Sequence, residues 1–185
     1  MSEQLEVLRL VTAQLDGLGI PYMVTGSLAT SHYAMPRFTR DIDIVVDLDE
    51  ERARRLATAL AREFYVDEEG LLRAVARRGM VNVIHQHLLV KVDVIVRKDE
   101  PYRLEEFRRR RRVRVENTDL WFAAPEDVIL SKLVWLRESG SGVQRLDLEN
   151  LAAVKDLDRA YIERWAGELR VLALWREVAD AESNL

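Results

Sequence analysis

Three aspartates in apolar, β-branched surroundings are the side chains of this sequence best suited to chemistry. Asp41 and Asp43 lie two residues apart in the run DIDIVV (41–46), which predicts a strand, so both side chains leave the same face. Asp93 lies in a second run of this kind, LLVKVDVIV (88–96). If the two strands are neighbours the carboxylates converge, and burying them without a counter-charge is costly. Three such acids can hold two Mg²⁺ (or Mn²⁺) ions about 4 Å apart, which stabilises the attacking and leaving oxygens in phosphoryl transfer.

A glycine–serine pair precedes these acids. Gly26 ends the apolar run YMVTG, which predicts a strand, and Ser27 opens a predicted helix over 27–34. Small residues at such a turn let backbone amides and the Ser27 hydroxyl approach a phosphate, and a helix N-terminus favours negative charge. With the acids on the following strand, the pair predicts a site for a nucleoside triphosphate (NTP) and a metal ion.

Each of these residues also has a purely structural interpretation. Asp41 and Asp43 could be a strand-end pair that Arg37 or Arg40 neutralises, Asp93 a surface residue, and Ser27 only a helix cap. We favour the metal and phosphate interpretation because the three acids and the turn occur together. The repeated spacing at Asp47 and Asp49 is interpreted as structural, since Asp49 precedes a predicted helix as its N-cap.

The composition limits the kinds of protein in which this site could lie. The chain has 185 residues, of which 48% are apolar and 32% charged, as expected for one globular unit with a helical appendage. It has no cysteine and three histidines, which excludes disulfides and thiolate zinc sites. The net charge of −4 argues against a protein that coats DNA. No signal peptide and no apolar run of membrane-spanning length is found, so we expect a cytoplasmic protein without a membrane partner.

The elements that must position the acids follow from periodicity and from turn residues. The pattern predicts an αβ unit over 1–124 and a helical region over 125–185. Besides the segments above, helices are predicted at 3–18, 50–64, 69–78, 103–109, 125–138, 146–155, 158–168 and 171–180. Two antiparallel hairpins are predicted, one from 80–86 and 88–96 and one from RVRVEN and LWFA, turning near Asn117–Asp119.

These motifs resemble the nucleotidyltransferase superfamily related to DNA polymerase β. Its signature is an apolar strand, Gly-Ser, a gap, Asp-apolar-Asp-apolar and a later Asp, which here read Gly26–Ser27, Asp41–Ile42–Asp43–Ile44 and Asp93. More narrowly, the chain resembles the AbiEii-type toxin group of bacterial toxin–antitoxin systems in three places: Pro36–Arg37 with Thr39–Arg40–Asp41, the PEDVILSKL helix, and the region of Arg145 and Asp147. The resemblance implies an α+β fold in which helices flank a mixed sheet, followed by a helical C-terminal part.

The resemblance also assigns roles to residues outside the acid cluster. In the AbiEii-type relatives a lysine on the corresponding helix holds the nucleotide phosphates and a later aspartate completes the site, which implies substrate binding by Lys132 and Asp147. Lys132 could instead extend its stem over apolar surface toward solvent. Arg40 is expected at the substrate, and Lys91 either reaches a phosphate or neutralises Asp93, with which it shares a strand face.

The function implied is Mg²⁺-dependent transfer of a nucleoside monophosphate (NMP) from an NTP to an acceptor such as tRNA, a protein hydroxyl or a small aminoglycoside-like molecule. A toxin-like role with an antitoxin partner follows from the resemblance alone. The alternatives are a non-catalytic protein that binds a nucleotide, RNA or a partner, and a helical oligomerisation module containing Trp135, Trp165 and Trp175, which we interpret as core residues. The run Arg108–Arg112 with Arg114 is either a solvated stretch or a contact surface for RNA or an acidic partner.

Overall fold

A computed structural model describes residues 3–37, 39 and 41–183, with the backbone alone for 181–183. In this part of the chain, helices and strands alternate over the first two thirds, and only helices follow. The helices are α1 (Glu3–Gly17), α2 (Gly26–Tyr33), α3 (Glu50–Leu60), α4 (Glu68–Arg77), α5 (Pro101–Arg108), α6 (Pro125–Ser139), α7 (Gly142–Ala152), α8 (Arg159–Glu168) and α9 (Leu172–Ser183). The strands are β1 (Tyr22–Thr25), β2 (Asp41–Val46), β3 (Phe64–Val66), β4 (Met80–His85), β5 (Lys91–Val96), β6 (Arg111–Val115) and β7 (Thr118–Phe122).

All of these strands form one mixed sheet in the order β3-β4-β5-β2-β1-β7-β6. The two strands that carry the acids, β2 and β5, are parallel neighbours near its centre. β1 pairs antiparallel with β2 and parallel with β7, and the outer pairs β3–β4, β4–β5 and β6–β7 are antiparallel. The predicted α+β architecture and both predicted hairpins are therefore confirmed.

The alternating pattern of β2 decides which face of the sheet becomes the site. Ile42, Ile44 and Val46 are buried on one face, whereas Asp41, Asp43 and Val45 keep some exposure on the other. A slip of one residue would exchange the two sets, so burial of the isoleucines fixes the register of the acids. The hydrophobic pattern of the strand thus positions the chemistry.

One segment predicted to be helical is partly a strand in the structure. The sequence pattern extends a helix from residue 50 to 64, but α3 ends at Leu60 and Phe64–Val66 forms the edge strand β3. Phe64 is buried and pairs with His85, so tertiary pairing outweighs the local helical preference of the segment. The helix predicted at 146–155 also begins earlier, at Gly142.

The C-terminal helices share the core of the sheet. A single cluster of buried side chains runs from Val7 on α1 through Ile42 and Val94 on the central strands to Leu133 and Val178 on α6 and α9. The division into 1–124 and 125–185 stays a prediction. No helix in the described ranges is both long and apolar enough to cross a membrane.

Candidate active site

The three predicted acids lie on adjacent strands at one end of the sheet. In the parallel pair β2–β5, Asp43 is directly opposite Asp93, and Asp41 is opposite Lys91. On the other side of β2, Asp43 is opposite Thr25, the last residue of β1 before the Gly26–Ser27 turn. The strand pairing on which the sequence analysis depended is therefore present, and it brings the acids to the glycine–serine turn.

Gly26 packs directly against Asp43. A Cβ atom at Gly26 would lie 2.0 Å from Oδ2 of Asp43, and the φ angle of Gly26 is +61°, a conformation that residues with side chains rarely adopt. Thr25, the N-cap of α2, makes no side-chain capping hydrogen bond. The N–H groups of the first turn are consequently available for an anion beside the acids.

Lys91 is the counter-charge of the acid cluster. Its Nζ lies 3.1 Å from Oδ2 of Asp93 and 3.5 Å from Oδ2 of Asp41. Burial lowers the pKa of Lys91, but the hydrogen bond from Lys91 to Asp93 and the negative charges of Asp93 and Asp41 outweigh it, so the pKa is raised overall. These contacts are the ones expected if Lys91 neutralises Asp93, and its contact with a phosphate stays a prediction.

Asp43 makes no ion pair with any described side chain, and its ionised form is therefore destabilised. Burial first, and then the charges of Asp93 and Asp41, raise its pKa above the ordinary value of 3.8. Lys91 and Lys132 partly offset this effect. An additional positive charge that enters the cleft would therefore stabilise the ionised form of Asp43.

The donor set fits a hard divalent cation. All three side chains offer carboxylate oxygens, and Oδ1 of Asp93 is buried without a hydrogen-bond partner, although buried polar atoms are normally paired. In the described part of the chain, however, no three acids or histidines already form a cluster arranged to hold a metal ion. The ammonium group of Lys91 contacts Asp41 and Asp93 and supplies there the positive charge that a cation would bring.

A second group of polar residues links the glycine–serine turn to α6 and α7. Nη2 of Arg37 donates to Oγ of Ser27 over 2.6 Å, and Nε of Arg37 donates to Oδ1 of Asp147 over 2.9 Å. Nζ of Lys132 donates to Oδ2 of Asp147 over 2.7 Å and to Oε1 of Gln144 over 3.0 Å. The structure thus joins Lys132, Asp147 and Ser27, which are far apart in sequence, through Arg37.

This polar group is buried enough to change its ionisation. Burial lowers the pKa of Lys132 from its usual 10.5, and Asp147 opposes that shift. Burial raises the pKa of Asp147, but the hydrogen bonds from Arg37 and Lys132 outweigh it and hold the pKa below 3.8. Asp147 is therefore a stable anion that orients two cations beside the Gly26–Ser27 turn.

The acids, the turn and Lys132 line one open cleft of about 530 Å³ between the sheet face and helices α5 and α6. A cleft of this size suits a small organic ligand. Its mouth contains Thr39, but Arg40, expected at the substrate, lies outside the described residues.

Comparison with known proteins gives the fold a name. No family model and no curated protein matches the chain. Among solved structures, an antigenic nucleotidyltransferase-like protein from Paracoccidioides brasiliensis aligns over 98% of this chain and 94% of its own, with 20% identity and a TM-score of 0.60. ANT(2″)-Ia in complex with adenylyl-2″-tobramycin aligns over 91% and 98%, with 12% identity and a TM-score of 0.62. The lincosamide antibiotic adenylyltransferase LnuA, bound to lincomycin, aligns over 84% and 99%, with 12% identity and a TM-score of 0.55.

The chain has the nucleotidyltransferase fold. The fold expected from the resemblance of Gly26–Ser27, Asp41, Asp43 and Asp93 is thus confirmed. The AbiEii-type resemblance stays a prediction.

Arg37 makes contacts other than those that its place in the sequence suggested. It was considered as a neutralising partner of Asp41 and Asp43, whereas its described contacts go to Ser27 and Asp147. Its position between the Ser27 helix and β2 is the one signal that the sequence offers. Arg145, part of the narrower resemblance, lies apart from these contacts and pairs with Glu177 at 3.5 Å.

The arginine run is mostly tied to the protein itself. Arg109 donates to Oε2 of Glu126 over 2.9 Å and to Oδ2 of Asp127 over 3.2 Å, and both acids are buried at the start of α6. Arg111 also contacts Glu126, at 3.2 Å. The remaining members contact Glu105, the Phe107 and Trp121 rings, or Asp119. These contacts indicate a structural role for Arg109, whereas the side chains of Arg108, Arg112 and Arg114 stay mostly exposed.

Proposed function

We propose that this protein is a Mg²⁺-dependent nucleotidyltransferase that moves an NMP from an NTP to a hydroxyl or RNA-end acceptor. The observation that carries the proposal is the strand register, in which Asp43 faces Asp93 across β2–β5 and Thr25 across β1–β2. One end of the sheet therefore combines paired carboxylates with a phosphate-binding turn. That combination is what transfer of a charged phosphoryl group requires.

In the proposed reaction, the acceptor oxygen forms a bond to the α-phosphorus of the NTP. The bond from that phosphorus to the oxygen bridging the β-phosphate breaks, and pyrophosphate leaves with the electron pair. Asp93 would accept the proton of the acceptor hydroxyl as the general base. Asp41, Asp43 and Asp93 would hold Mg²⁺, which when bound would neutralise the charge that develops on the transferred group and the leaving oxygen.

The β- and γ-phosphates are assigned to the cationic side of the cleft. The first-turn N–H groups of α2, the Ser27 hydroxyl and the ammonium of Lys132 would contact them. Arg37 already donates to Ser27, so it is positioned to add a guanidinium contact. Asp147 would act through Arg37 and Lys132 as a positioning residue, because it binds both cations.

The first acceptor to test is a small molecule with free hydroxyls. Two proteins of the same fold are described in complex with an adenylylated tobramycin and with lincomycin. RNA ends and protein hydroxyls come next, and the contacts of Arg109 and Arg111 with Glu126 leave a smaller basic surface for RNA than the sequence alone suggests. From the AbiEii-type resemblance we further propose a toxin-like role with an antitoxin partner.

The test is a label-transfer assay with each of the four α-³²P NTPs, Mg²⁺, and separate pools of antibiotics, RNA and proteins. We expect the wild type to label one pool and Asp43→Asn to lose nearly all transfer, because the amide cannot replace the carboxylate toward a cation. Asp49→Asn is the matched control, since Asp49 caps α3 through the N–H of Arg52 and pairs with the Arg52 side chain only on the surface, at 3.8 Å, and asparagine caps equally well.

Absence of labelled acceptor with the wild type, in preparations that still bind NTP by calorimetry, would contradict the proposal. The chain would then be a nucleotide-binding protein that retains the fold without the reaction.

A further inference from the structure

The cleft continues past the acids into an apolar section. Along the sheet, Val45 and Ile95 follow Asp43 and Asp93 on the same face, each two residues further and so roughly 7 Å along its strand. Neither of these apolar side chains is fully buried. The floor of the cleft therefore changes from charged to apolar in one step.

The opposite wall changes in the same way. On α6, Trp135 follows Lys132 by three residues, about 4.5 Å along the helix axis, and both line the cleft. The sequence suggested that Trp135 belongs to the core, but its surface is 55% exposed, in contrast to Trp175 at 2%. An indole that remains exposed in a concave cleft is a favourable surface for a flat ring.

We propose that Trp135 stacks on the nucleobase of the NTP, over the floor formed by Val45 and Ile95. The inference rests on the proposed function, because it takes the triphosphate at Gly26–Ser27 and the α-phosphate at the acids as its starting point. From there the sugar would carry the base past the acids to the stretch lined by Val45, Ile95 and Trp135, which Arg97, Arg103, Glu106 and Glu138 of the same cleft surround. Stacking on an indole tolerates any base, since every base has a π-face.

The alternative occupant of this section is a ring of the acceptor. The nucleobase is favoured because, on the sheet wall, Val45 and Ile95 directly follow the acids at which the α-phosphate is placed. An acceptor needs only its attacking oxygen at this position.

Binding measurements without turnover distinguish a nucleobase from an acceptor ring as the occupant of this section. Calorimetry in the presence of Mg²⁺ would compare a non-hydrolysable ATP analogue with inorganic tripolyphosphate, which has no base, for the wild type, Trp135→Ala and Trp135→Phe. We expect Trp135→Ala to weaken binding of the ATP analogue by at least about fivefold and to leave tripolyphosphate binding unchanged. Trp135→Phe should bind the analogue within about twofold of the wild type, because phenylalanine keeps a π-face.

Tyr65→Ala is the matched control, since Tyr65 is an exposed aromatic residue on β3 outside the cleft lining. It should bind both probes like the wild type. Unchanged affinity of Trp135→Ala for the ATP analogue would overturn the stacking proposal, and a raised acceptor KM in the same variant would assign the wall to the acceptor. If the wild type binds neither probe, the proposed function itself fails, and stacking fails with it.

Discussion

At the scale of single residues, Gly26 is constrained twice, by its left-handed backbone and by contact with Asp43. We expect Gly26→Ala to destabilise the fold by roughly 1–3 kcal/mol from backbone strain alone and to displace the Asp43 carboxylate, so that transfer is lost. The comparison is Gly142→Ala, where no atom lies within 4 Å of the added Cβ and no left-handed φ is involved. Urea unfolding of both variants checks the difference, and equal stabilities would show that the contact at Gly26 is tolerated.

The position of Lys91 leads to a second prediction, which concerns the affinity of the acids for a metal ion. Its ammonium lies between Asp41 and Asp93, where it competes with a divalent cation for the same oxygens. Lys91→Met should therefore raise the affinity for Mn²⁺ in the absence of nucleotide, on the order of tenfold or more. Electron paramagnetic resonance of free Mn²⁺ measures this directly.

Lys98→Met removes the same charge from the rim of the cleft and is the control for long-range electrostatics. If both variants bind Mn²⁺ like the wild type, Lys91 does not compete with the metal and its role is confined to the folded sheet.

Residue types and spacing were sufficient to predict Asp41, Asp43, Asp93 and the Gly26–Ser27 turn, because strand periodicity fixes which side chains share a face. They did not reveal the contact of Arg37 with Asp147, which depends on how α7 packs against the segment before β2. Trp135 was misassigned for a related reason. Helical periodicity cannot distinguish a core-facing indole from one that faces a cleft.

At the scale of elements, the start of α6 is held by the arginine run. Arg109 connects β6 and α5 to buried Glu126 and Asp127, and it stacks 3.6 Å from the centre of the Tyr161 ring on α8. Arg109→Ala leaves two buried carboxylates without this partner, so we expect a loss of about 3 kcal/mol in the free energy of unfolding.

Arg108, the residue before Arg109, is the control for this prediction. Arg108 pairs only with Glu105 on the surface, and Arg108→Ala should leave the unfolding free energy unchanged within error. Denaturant titrations of the two variants separate the outcomes. Equal, small effects would mean that the run is a solvated stretch, as a run of five arginines usually is.

Asp127 gives α6 a predictable response to pH. Burial raises the pKa of Asp127 from 3.8 to about 6, against the hydrogen bonds from Tyr161 and Arg109 that lower it. The folded state thus favours the protonated carboxyl, so this contribution to stability is fully present below pH 3.8 and is lost as the pH rises through about 6. Asp127→Asn, which is always neutral, should gain about 3 kcal/mol relative to the wild type between about pH 4 and pH 7.

Unfolding titrations across that pH range measure the gain. A difference between variant and wild type that does not change with pH would show that Asp127 stays ionised in the folded protein, paired with Arg109.

At the scale of the whole molecule, one core joins the sheet to the C-terminal helices, so the two sides of the cleft are held by the same packing. The acids come from β2 and β5, the turn from β1 and α2, and Lys132 from α6. The sequence predicted the α+β class and the central strands because their apolar runs are strong signals. It missed β3 because Phe64–Val66 follows a helix with no breaking residue, and only pairing with β4 makes it a strand.

The central claim is that Asp41, Asp43 and Asp93 bind the metal ion of an NTP. Its most direct test is an anomalous difference map from crystals grown with Mn²⁺ and a non-hydrolysable NTP. We predict a peak about 2.1 Å from carboxylate oxygens of Asp41 and Asp43, with the triphosphate at Gly26–Ser27 and Lys91 moved away from Asp41. A peak elsewhere, with the Lys91 ammonium still between Asp41 and Asp93, would contradict it.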